Sequence, residues 1–228
     1  MIQFPEKFQE RMQQMLGDEE YAEFLKSYDL PFHNGLRINT WKIKPQELLQ
    51  RMGVDLKQVP WNETGFYLEN KKQFSKHPYY QGGLYYIQEA SAMLPAKLVN
   101  AQPGEKILDM CAAPGGKSTA IGAALKGEGL LISNDISKIQ SQGTSAQIWR
   151  ALALSTVLLS VSIRRNYPDI SRNSLIKVLI DAPCSGEGMF HKEPSMTESW
   201  LRMGPEEYHK LQMEILTYGA KMVRPAAN

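Results

Sequence analysis

Two short segments carry side chains whose types and spacing could support chemistry. Residues 108–118 read LDMCAAPGGKS and residues 181–190 read DAPCSGEGMF, and each follows a strand-like run. A Gly-rich turn that leads from a strand into a helix seats a nucleotide-like cofactor on the backbone N–H groups of the helix N-terminus. In the second segment the thiol of Cys184 lies close in sequence to the carboxylate of Asp181, where covalent chemistry on a base can occur. Together the two segments suggest a methyl donor that meets a nucleobase.

The Gly-rich segment is compatible with more than one interpretation. A phosphate-binding loop of the GxxxxGKS/T type requires glycine at position 111, where this chain has Cys111, and the GxGxxG pattern of dinucleotide-binding folds is also missing. What remains is a glycine pair, Gly115 and Gly116, that lets the backbone approach a ligand. Asp135 ends the next predicted strand, where a carboxylate commonly receives ribose hydroxyls. An ordinary strand-to-helix turn with a helix cap is the alternative.

Composition and charge exclude several classes of protein. The chain has 228 residues, a net charge of +2 and two cysteines, Cys111 and Cys184, so a disulfide framework is excluded and a reduced, cytoplasmic setting is expected. Four scattered histidines lack metal-ligand spacing, so no metal is expected. The sequence shows neither a secretory signal nor the roughly 20-residue apolar run that crosses a bilayer, so no membrane partner is expected. The small net charge alone does not establish RNA binding.

From residue 88 onward, helical and strand-like patterns alternate. Apolar runs that end in polar or Gly-rich turns predict strands, and amphipathic stretches between them predict helices. Such alternation is typical of a parallel, doubly wound α/β sheet. The predicted strands cover residues 106–109, 129–134, 156–161 and 176–180, and the predicted helices cover residues 90–99, 117–125 and 205–223.

The first 87 residues follow a different pattern. Amphipathic helices broken near Gly17 are expected over residues 5–29, then a strand over 35–40 and a helix over 45–52. Aromatic and basic residues are interleaved from 59 to 86, which suits the base stacking and phosphate contacts of single-stranded RNA recognition. A packed β-rich segment with a solvated lysine face is the equally weighted alternative. The residues concerned are Trp61, Phe66, Tyr67, Lys71, Lys72, Lys76, His77, Tyr79, Tyr80, Tyr85 and Tyr86.

These segments and several shorter motifs resemble one family, the bacterial RsmF-type branch of the Sun-domain RNA cytosine-5 methyltransferases. The shorter motifs are GLRINT at residues 35–40, VPW at 59–61, KHP at 76–78 and LYYIQE at 84–89, so the resemblance covers most of the chain. It implies transfer of a methyl group from S-adenosylmethionine to carbon 5 of cytosine in small-subunit ribosomal RNA. It also implies an incomplete Rossmann-like methyltransferase sheet over residues 88–228, preceded by a small α+β, RNA-binding segment over residues 1–87.

The resemblance also implies roles for individual residues. Asp135 would bind the cofactor ribose, and Asp181 would lie near the sulfonium and the target base. Carbon 5 of cytosine is a poor nucleophile, so the family adds a cysteine thiolate to carbon 6 before methyl transfer. Cys184 matches a family cysteine that assists product release, and with Asp181 it forms the expected catalytic group. The implied cofactor-binding residues are Cys111, Ala112, Ala113, Pro114, Gly115, Gly116, Lys117, Asp135 and Asp181.

Two departures from the family pattern affect these expectations. Between Lys138 and Ser174 no acid matches the family's adenine contact, so no adenine-binding residue is assigned. After residues 223–225 the family continues with a strand that carries the attacking cysteine in a Ser-Thr-Cys segment, whereas this chain reads AAN at 226–228. We therefore expect a C-terminally shortened enzyme, with disrupted reading frames as a hypothesis for both departures. Attack by Cys184 itself and a catalytically inactive RNA- or cofactor-binding remnant are the alternatives.

Overall fold

The chain contains two compact units. A computed structural model describes residues 3–30, 34–69, 71–135, 157–161, 175 and 177–223. The smaller unit combines Met1–Phe32 with Pro183–Glu214, and the larger combines His33–Ala182 with Ile215–Asn228. The predicted division of the chain at residue 87, into an RNA-binding segment and a methyltransferase domain, stays a prediction.

Helices and strands follow one another along the described residues in the order that the sequence pattern predicts from residue 88 onward. In chain order the helices and strands are α1 (Glu6–Ser27), β1 (Asn34–Ile38), α2 (Pro45–Met52), β2 (Gln58–Val59), β3 (Asn62–Leu68), α3 (Lys71–Ser75), α4 (Pro78–Gln81), β4 (Tyr85–Glu89), α5 (Leu94–Val99), β5 (Lys106–Asp109), α6 (Gly116–Leu125), β6 (Leu130–Asp135), β7 (Val157–Val161), β8 (Lys177–Leu179), α7 (Met196–Arg202) and α8 (Pro205–Ala220). Short 3-10 turns at Ser91–Met93 and Glu187–Met189 complete the set. None of the described helices is both long and apolar enough to span a membrane.

Local sequence signals explain where several helices begin and end. Helix α2 begins at Pro45, whose fixed φ suits a first helical turn, and it ends at Gly53 in the left-handed region. Helix α1 is interrupted at Gly17, where φ is 74° and ψ is 172°, which confirms the predicted break. The predicted helix over residues 90–99 is a 3-10 turn followed by α5.

The first sheet of the larger unit is antiparallel, in the order β2-β3-β1-β4. Central strand β1 places Leu36 opposite Phe66 on β3 and Ile87 on β4. Helix α2 contributes the fully buried Leu48 to the apolar core of this sheet. The layer is therefore a small α+β structure with its own core.

Several aromatic residues between positions 59 and 86 are buried, and Phe66 and Tyr85 belong to that core. Phe66, Tyr85 and Tyr86 are all buried, so their interpretation as base-stacking rings is wrong. The hydroxyl of Tyr85 donates to the carbonyl oxygen of Phe74 at 2.7 Å, which satisfies its polar end inside the core. The alternative of a packed segment holds for these rings, because strands β3 and β4 need apolar side chains to cover the sheet.

The second sheet of the larger unit is parallel, in the order β7-β6-β5-β8. The chain passes from β5 through α6 to β6, and β8 later joins β5 on its other side. Buried residues of β5, α6 and β6 form its core, among them Ile107, Ile121 and Leu131. This arrangement confirms the predicted Rossmann-like, doubly wound α/β class.

The order of these strands reverses between β5 and β8. In open α/β sheets ligands bind outside the carboxyl ends of the strands at such a reversal, because loops there diverge and leave a crevice. The two segments at this point are the Gly-rich loop after β5 and the chain that leaves β8 toward Asp181. Apart from β7, the residues between Lys138 and Ser174, in which no adenine-binding residue is assigned, lie outside the described residues.

Strand β8 is the last strand of the parallel sheet within the described residues. It pairs with β5. An isolated parallel bridge joins Leu175 to Val223 beside it. The predicted lack of a full neighbouring strand concerns residues 224–228, which lie outside the described residues.

The smaller unit has an aromatic core built from distant parts of the sequence. Phe8 of α1, Phe190 and Trp200 of α7 are buried together, with Phe4 and Phe24 packed against them. The rings of Phe8 and Phe190 meet edge to face, with centroids 5.1 Å apart. This core joins the beginning of the chain to the segment that follows Cys184.

Candidate active site

The Gly-rich loop after β5 is fixed by hydrogen bonds to the end of β6. The N–H of Ala112 donates to the carbonyl oxygen of Asn134 at 2.8 Å, and the N–H of Ala113 donates to Oδ2 of Asp135 at 2.8 Å. The amide Nδ2 of Asn134 donates to the carbonyl oxygen of Met110 at 3.0 Å. Asp135 therefore orients the loop with one carboxylate oxygen.

The glycine pair forms the entry to helix α6. Gly115 caps the helix with φ 105°, a left-handed conformation that side chains rarely adopt. A Cβ atom at Gly116 would lie 3.1 Å from Oε1 of Gln88 and 3.1 Å from a ring carbon of Tyr86. A side chain at residue 116 would therefore require Gln88 or Tyr86 to move by a few tenths of an ångström.

The first turn of α6 presents backbone N–H groups that could hold an anion. The first N–H groups of an α-helix have no acceptor within the helix, and the helix dipole favours negative charge there. In α6 these groups belong to Gly116, Lys117 and Ser118. These groups could hold the carboxylate of an amino-acid-like ligand, and the Asp135 carboxylate could accept from a ribose hydroxyl.

A buried polar chain lies beneath the loop. Asp109, at the end of β5, is completely buried, and its Oδ2 accepts a hydrogen bond from Ser118 Oγ at 2.7 Å. Ser133 Oγ donates in turn to Ser118 Oγ at 2.8 Å. Burial raises the pKa of Asp109 to about 6, although the Ser118 hydrogen bond opposes that rise. The chain ties β5, α6 and β6 together below the candidate site.

Lys117 and Asp181 form an ion pair. The side chain of Lys117 is 17% exposed and that of Asp181 is 46% exposed. Lys117 lies in the first turn of α6 and Asp181 follows β8, so the pair spans the reversal in strand order. The structure thus brings together two of the predicted site residues.

Cys111 is a packed thiol within the loop. It is 8% exposed, and burial together with the charges of Asp109, Asp135 and Asp181 raises its pKa to about 12. A thiol with that pKa is protonated at neutral pH and cannot act as a nucleophile. Its side chain contributes packing to the site.

Cys184 lies in the smaller unit, and its side chain is exposed. The carbonyl oxygen of its neighbour Pro183 accepts a hydrogen bond from Gln212 Nε2 at 2.9 Å. Downstream, Oε1 of Glu187 accepts from Trp200 Nε1 at 2.8 Å and from Arg11 Nη1 at 3.1 Å. The segment that carries Cys184 is therefore anchored on both sides.

Three residues that contact the Gly-rich loop were not predicted from the sequence. They are Arg37 on β1 and Tyr86 and Gln88 on β4. The hydroxyl of Tyr86 donates to the carbonyl oxygen of Pro114 at 2.8 Å, and Arg37 donates to the carbonyl oxygen of Gly116 at 3.0 Å. All three lie in motifs that carry the family resemblance, GLRINT and LYYIQE, to which no role at the site was assigned from the sequence. No group of His, Cys, Asp and Glu within the described part of the chain is arranged to hold a metal ion.

The parallel sheet, the Gly-rich loop after β5 and the acidic residue that ends β6 define a Rossmann-like methyltransferase domain. Residues 4–90 match the N-terminal domain of 16S rRNA methyltransferase RsmF, and residues 96–227 match 16S rRNA methyltransferase RsmB/F. The chain therefore belongs to the 16S rRNA methyltransferase RsmB/F family. This confirms the resemblance, and with it a family of enzymes that use S-adenosylmethionine.

Individual relatives show the same similarity. Ribosomal RNA small subunit methyltransferase F of Escherichia coli (strain K12) is 30% identical over 234 residues, which covers 98% of this chain and 49% of that protein. The crystal structure of PH0851 is 26% identical, with a TM-score of 0.87 over 98% of this chain and 51% of that one. A methyltransferase homolog protein from Pyrococcus horikoshii is 29% identical, with a TM-score of 0.79 over 98% of this chain and 71% of that one. The chain spans about half the length of the curated relatives it matches.

Proposed function

We propose that this chain carries out methyl transfer from S-adenosylmethionine to carbon 5 of cytosine in small-subunit ribosomal RNA, in the cytoplasm. The observation that carries the proposal is the Gly-rich loop at the reversal of the parallel sheet, held by Asp135 at one end and capped by Gly115 at the other. Family membership supports the same reaction class.

The residues that would hold the cofactor are those that the loop orients. The first-turn N–H groups of α6 would hold the methionine carboxylate, and the Asp135 carboxylate would accept from ribose hydroxyls. Asp181 keeps Lys117 in place beside this turn. When bound, S-adenosylmethionine supplies an electrophilic methyl group on a sulfonium.

The chain's own contribution to the chemistry is a thiol and a carboxylate. A cysteine thiolate that adds to carbon 6 of cytosine makes carbon 5 nucleophilic enough to accept the methyl group. A base then removes the carbon 5 proton, the double bond between carbons 5 and 6 re-forms, and the thiolate leaves. The high pKa of Cys111 excludes it from this step. We assign the thiol chemistry to Cys184, whose side chain is exposed, and the role of the catalytic carboxylate to Asp181.

The test is methyl transfer from labelled S-adenosylmethionine to purified small-subunit ribosomal RNA. We expect transfer by the wild-type chain and loss of transfer in Cys184→Ser. Calorimetric binding of S-adenosylmethionine should persist in Cys184→Ser, because the thiol is not among the groups that hold the cofactor. Transfer that survives Cys184→Ser would remove the thiol role of that residue, and no cofactor binding by the wild type would overturn the proposal.

A second candidate function is an RNA- or cofactor-binding chain without turnover. Its support is the cysteine inventory: the sequence has two cysteines, one buried with a raised pKa and one at the position of the family's product-release residue. This candidate requires saturable, salt-dependent RNA binding and cofactor binding without methyl transfer. The same assay therefore separates the two functions.

A further inference from the structure

Arg37 is a buried cation beside the candidate cofactor loop. It lies on β1, and its side chain is 5% exposed. Its Nη2 donates to Thr119 Oγ1 at 2.7 Å and to the carbonyl oxygen of Gly116 at 3.0 Å, and its Nε donates to Gln88 Oε1 at 3.3 Å. All three partners are neutral, and among the described residues no carboxylate pairs with Arg37.

This placement is unfavourable for the protein alone. Removing a guanidinium from water is costly without an anion, and burial lowers the pKa of Arg37 to about 10. Two of its partners, Gly116 and Thr119, belong to the beginning of α6, where the helix dipole is already positive. An anion bound at this helix end would offset both unfavourable contributions.

The face of the antiparallel sheet that carries Arg37 is directed at the loop. Arg37 on β1 is paired with Tyr86 on β4, and Gln88 follows two residues later on the same face. Tyr86 holds the carbonyl oxygen of Pro114, and Gln88 contacts both Arg37 and the site of Gly116. Three side chains of one sheet therefore fix the beginning of α6.

We propose that Arg37 is a positioning residue that holds the first turn of α6 and supplies the positive charge that favours the carboxylate end of the methyl donor. The inference rests on the proposed function, since it requires S-adenosylmethionine at this loop. It assigns to the first sheet a role in cofactor binding in addition to any contact with RNA.

The experiment compares two ligands by isothermal titration calorimetry. S-adenosylmethionine carries the carboxylate, whereas 5′-methylthioadenosine lacks the whole methionine end beyond the sulfur. In Arg37→Met we expect the affinity for S-adenosylmethionine to fall about tenfold or more, with the affinity for 5′-methylthioadenosine changed less than about twofold. Arg51→Met, on the exposed face of α2, is the matched control and should bind both ligands as the wild type does.

A second variant keeps the packing while it cancels the charge. Gln88→Glu has nearly the same shape and gives Arg37 a carboxylate partner, so the fold should be retained while S-adenosylmethionine binds more weakly and 5′-methylthioadenosine binds unchanged. Wild-type affinity for S-adenosylmethionine in both variants, or an equal loss for both ligands, would overturn the inference. If the wild type binds neither ligand, the proposed function fails instead.

Discussion

The ammonium group of Lys117 and the carboxylate of Asp181 form an ion pair that joins the first turn of α6 to the end of β8. The two residues come from the two chemistry-bearing segments of the sequence. Because Lys117 is mostly buried, water screens this pair less than it screens a surface pair. The pair therefore helps to hold the candidate site in shape.

We expect a measurable coupling between Lys117 and Asp181. A double-mutant cycle of Lys117→Met and Asp181→Asn should give a coupling of about 1 kcal/mol in the free energy of unfolding by urea. The matched cycle on Lys26 and Glu23, whose side chains are 69% and 73% exposed, should give about 0.3 kcal/mol. Equal couplings in the two cycles would contradict a site-forming role for the ion pair.

Gly116→Ala should weaken both the fold and cofactor binding. The new Cβ would lie 3.1 Å from Gln88 Oε1 and from a ring carbon of Tyr86, and the Tyr86 hydroxyl is held by Pro114. We expect a loss of about 1–2 kcal/mol in the free energy of unfolding, together with weaker binding of S-adenosylmethionine. Gly188→Ala is the control for stability, since nothing lies within 4 Å of its Cβ position. Equal stability of the two variants would show that α6 can move away from β4 without loss.

Asp109→Asn should change how stability depends on pH. Burial raises the pKa of Asp109 to about 6, whereas in the unfolded chain it is about 4. Between about pH 4 and pH 6 the folded protein binds the Asp109 proton more tightly than the unfolded chain does. The wild type therefore loses stability as the pH rises through this range. The free energy of unfolding of Asp109→Asn minus that of the wild type should therefore be about 1–3 kcal/mol higher at pH 8 than at pH 4.

Urea unfolding at the two pH values measures this difference. Asp55→Asn, at an exposed position, is the control for a general effect of removing a carboxylate. If Asp109→Asn and the wild type differ by the same amount at both pH values, the carboxyl of Asp109 does not titrate differently in the folded protein.

Glu187→Ala should destabilise the segment downstream of Cys184. The substitution removes the acceptor of the Trp200 indole N–H, and an unsatisfied N–H on a buried side chain costs about 1–3 kcal/mol. Glu187→Gln keeps a carbonyl oxygen that can accept from Trp200, so it should lose less stability than Glu187→Ala. Thermal unfolding followed by circular dichroism measures both, with the exposed Glu10→Ala on α1 as control. A larger loss in Glu187→Gln than in Glu187→Ala would contradict this account of the indole contact.

The sequence predicts the parallel sheet well because its signals are local. The apolar strand before Asp109 and the turn at Gly115 are both contiguous in the chain, and their structure follows from neighbouring residues. The aromatic region could not be interpreted this way. Tyr86 on β4 is 8% exposed, whereas Trp61, in the turn between β2 and β3, is 37% exposed, and the composition of the region does not distinguish the two rings.

The candidate site was predicted only in part for the same reason. The roles of Asp135 and Lys117 stay predictions: that of Asp135 rests on its place at a strand end and on the family resemblance, and that of Lys117 rests on the resemblance. The contact of Arg37 with Gly116 joins residues 79 positions apart, and hydrophobic periodicity in the sequence does not predict contacts at that separation. The ion pair of Lys117 with Asp181 likewise depends on the strand order, which places β8 beside β5.

The aromatic core of the smaller unit determines when that unit can form during synthesis. Arg11 and Glu187 are separated by 176 positions, and Phe8 packs on Phe190 and Trp200 across a similar span. Contacts of such long sequence separation form late, because a long loop must close first. Helix α1 therefore emerges from the ribosome long before its partners, and its apolar face is open to chaperones until translation has passed residue 200.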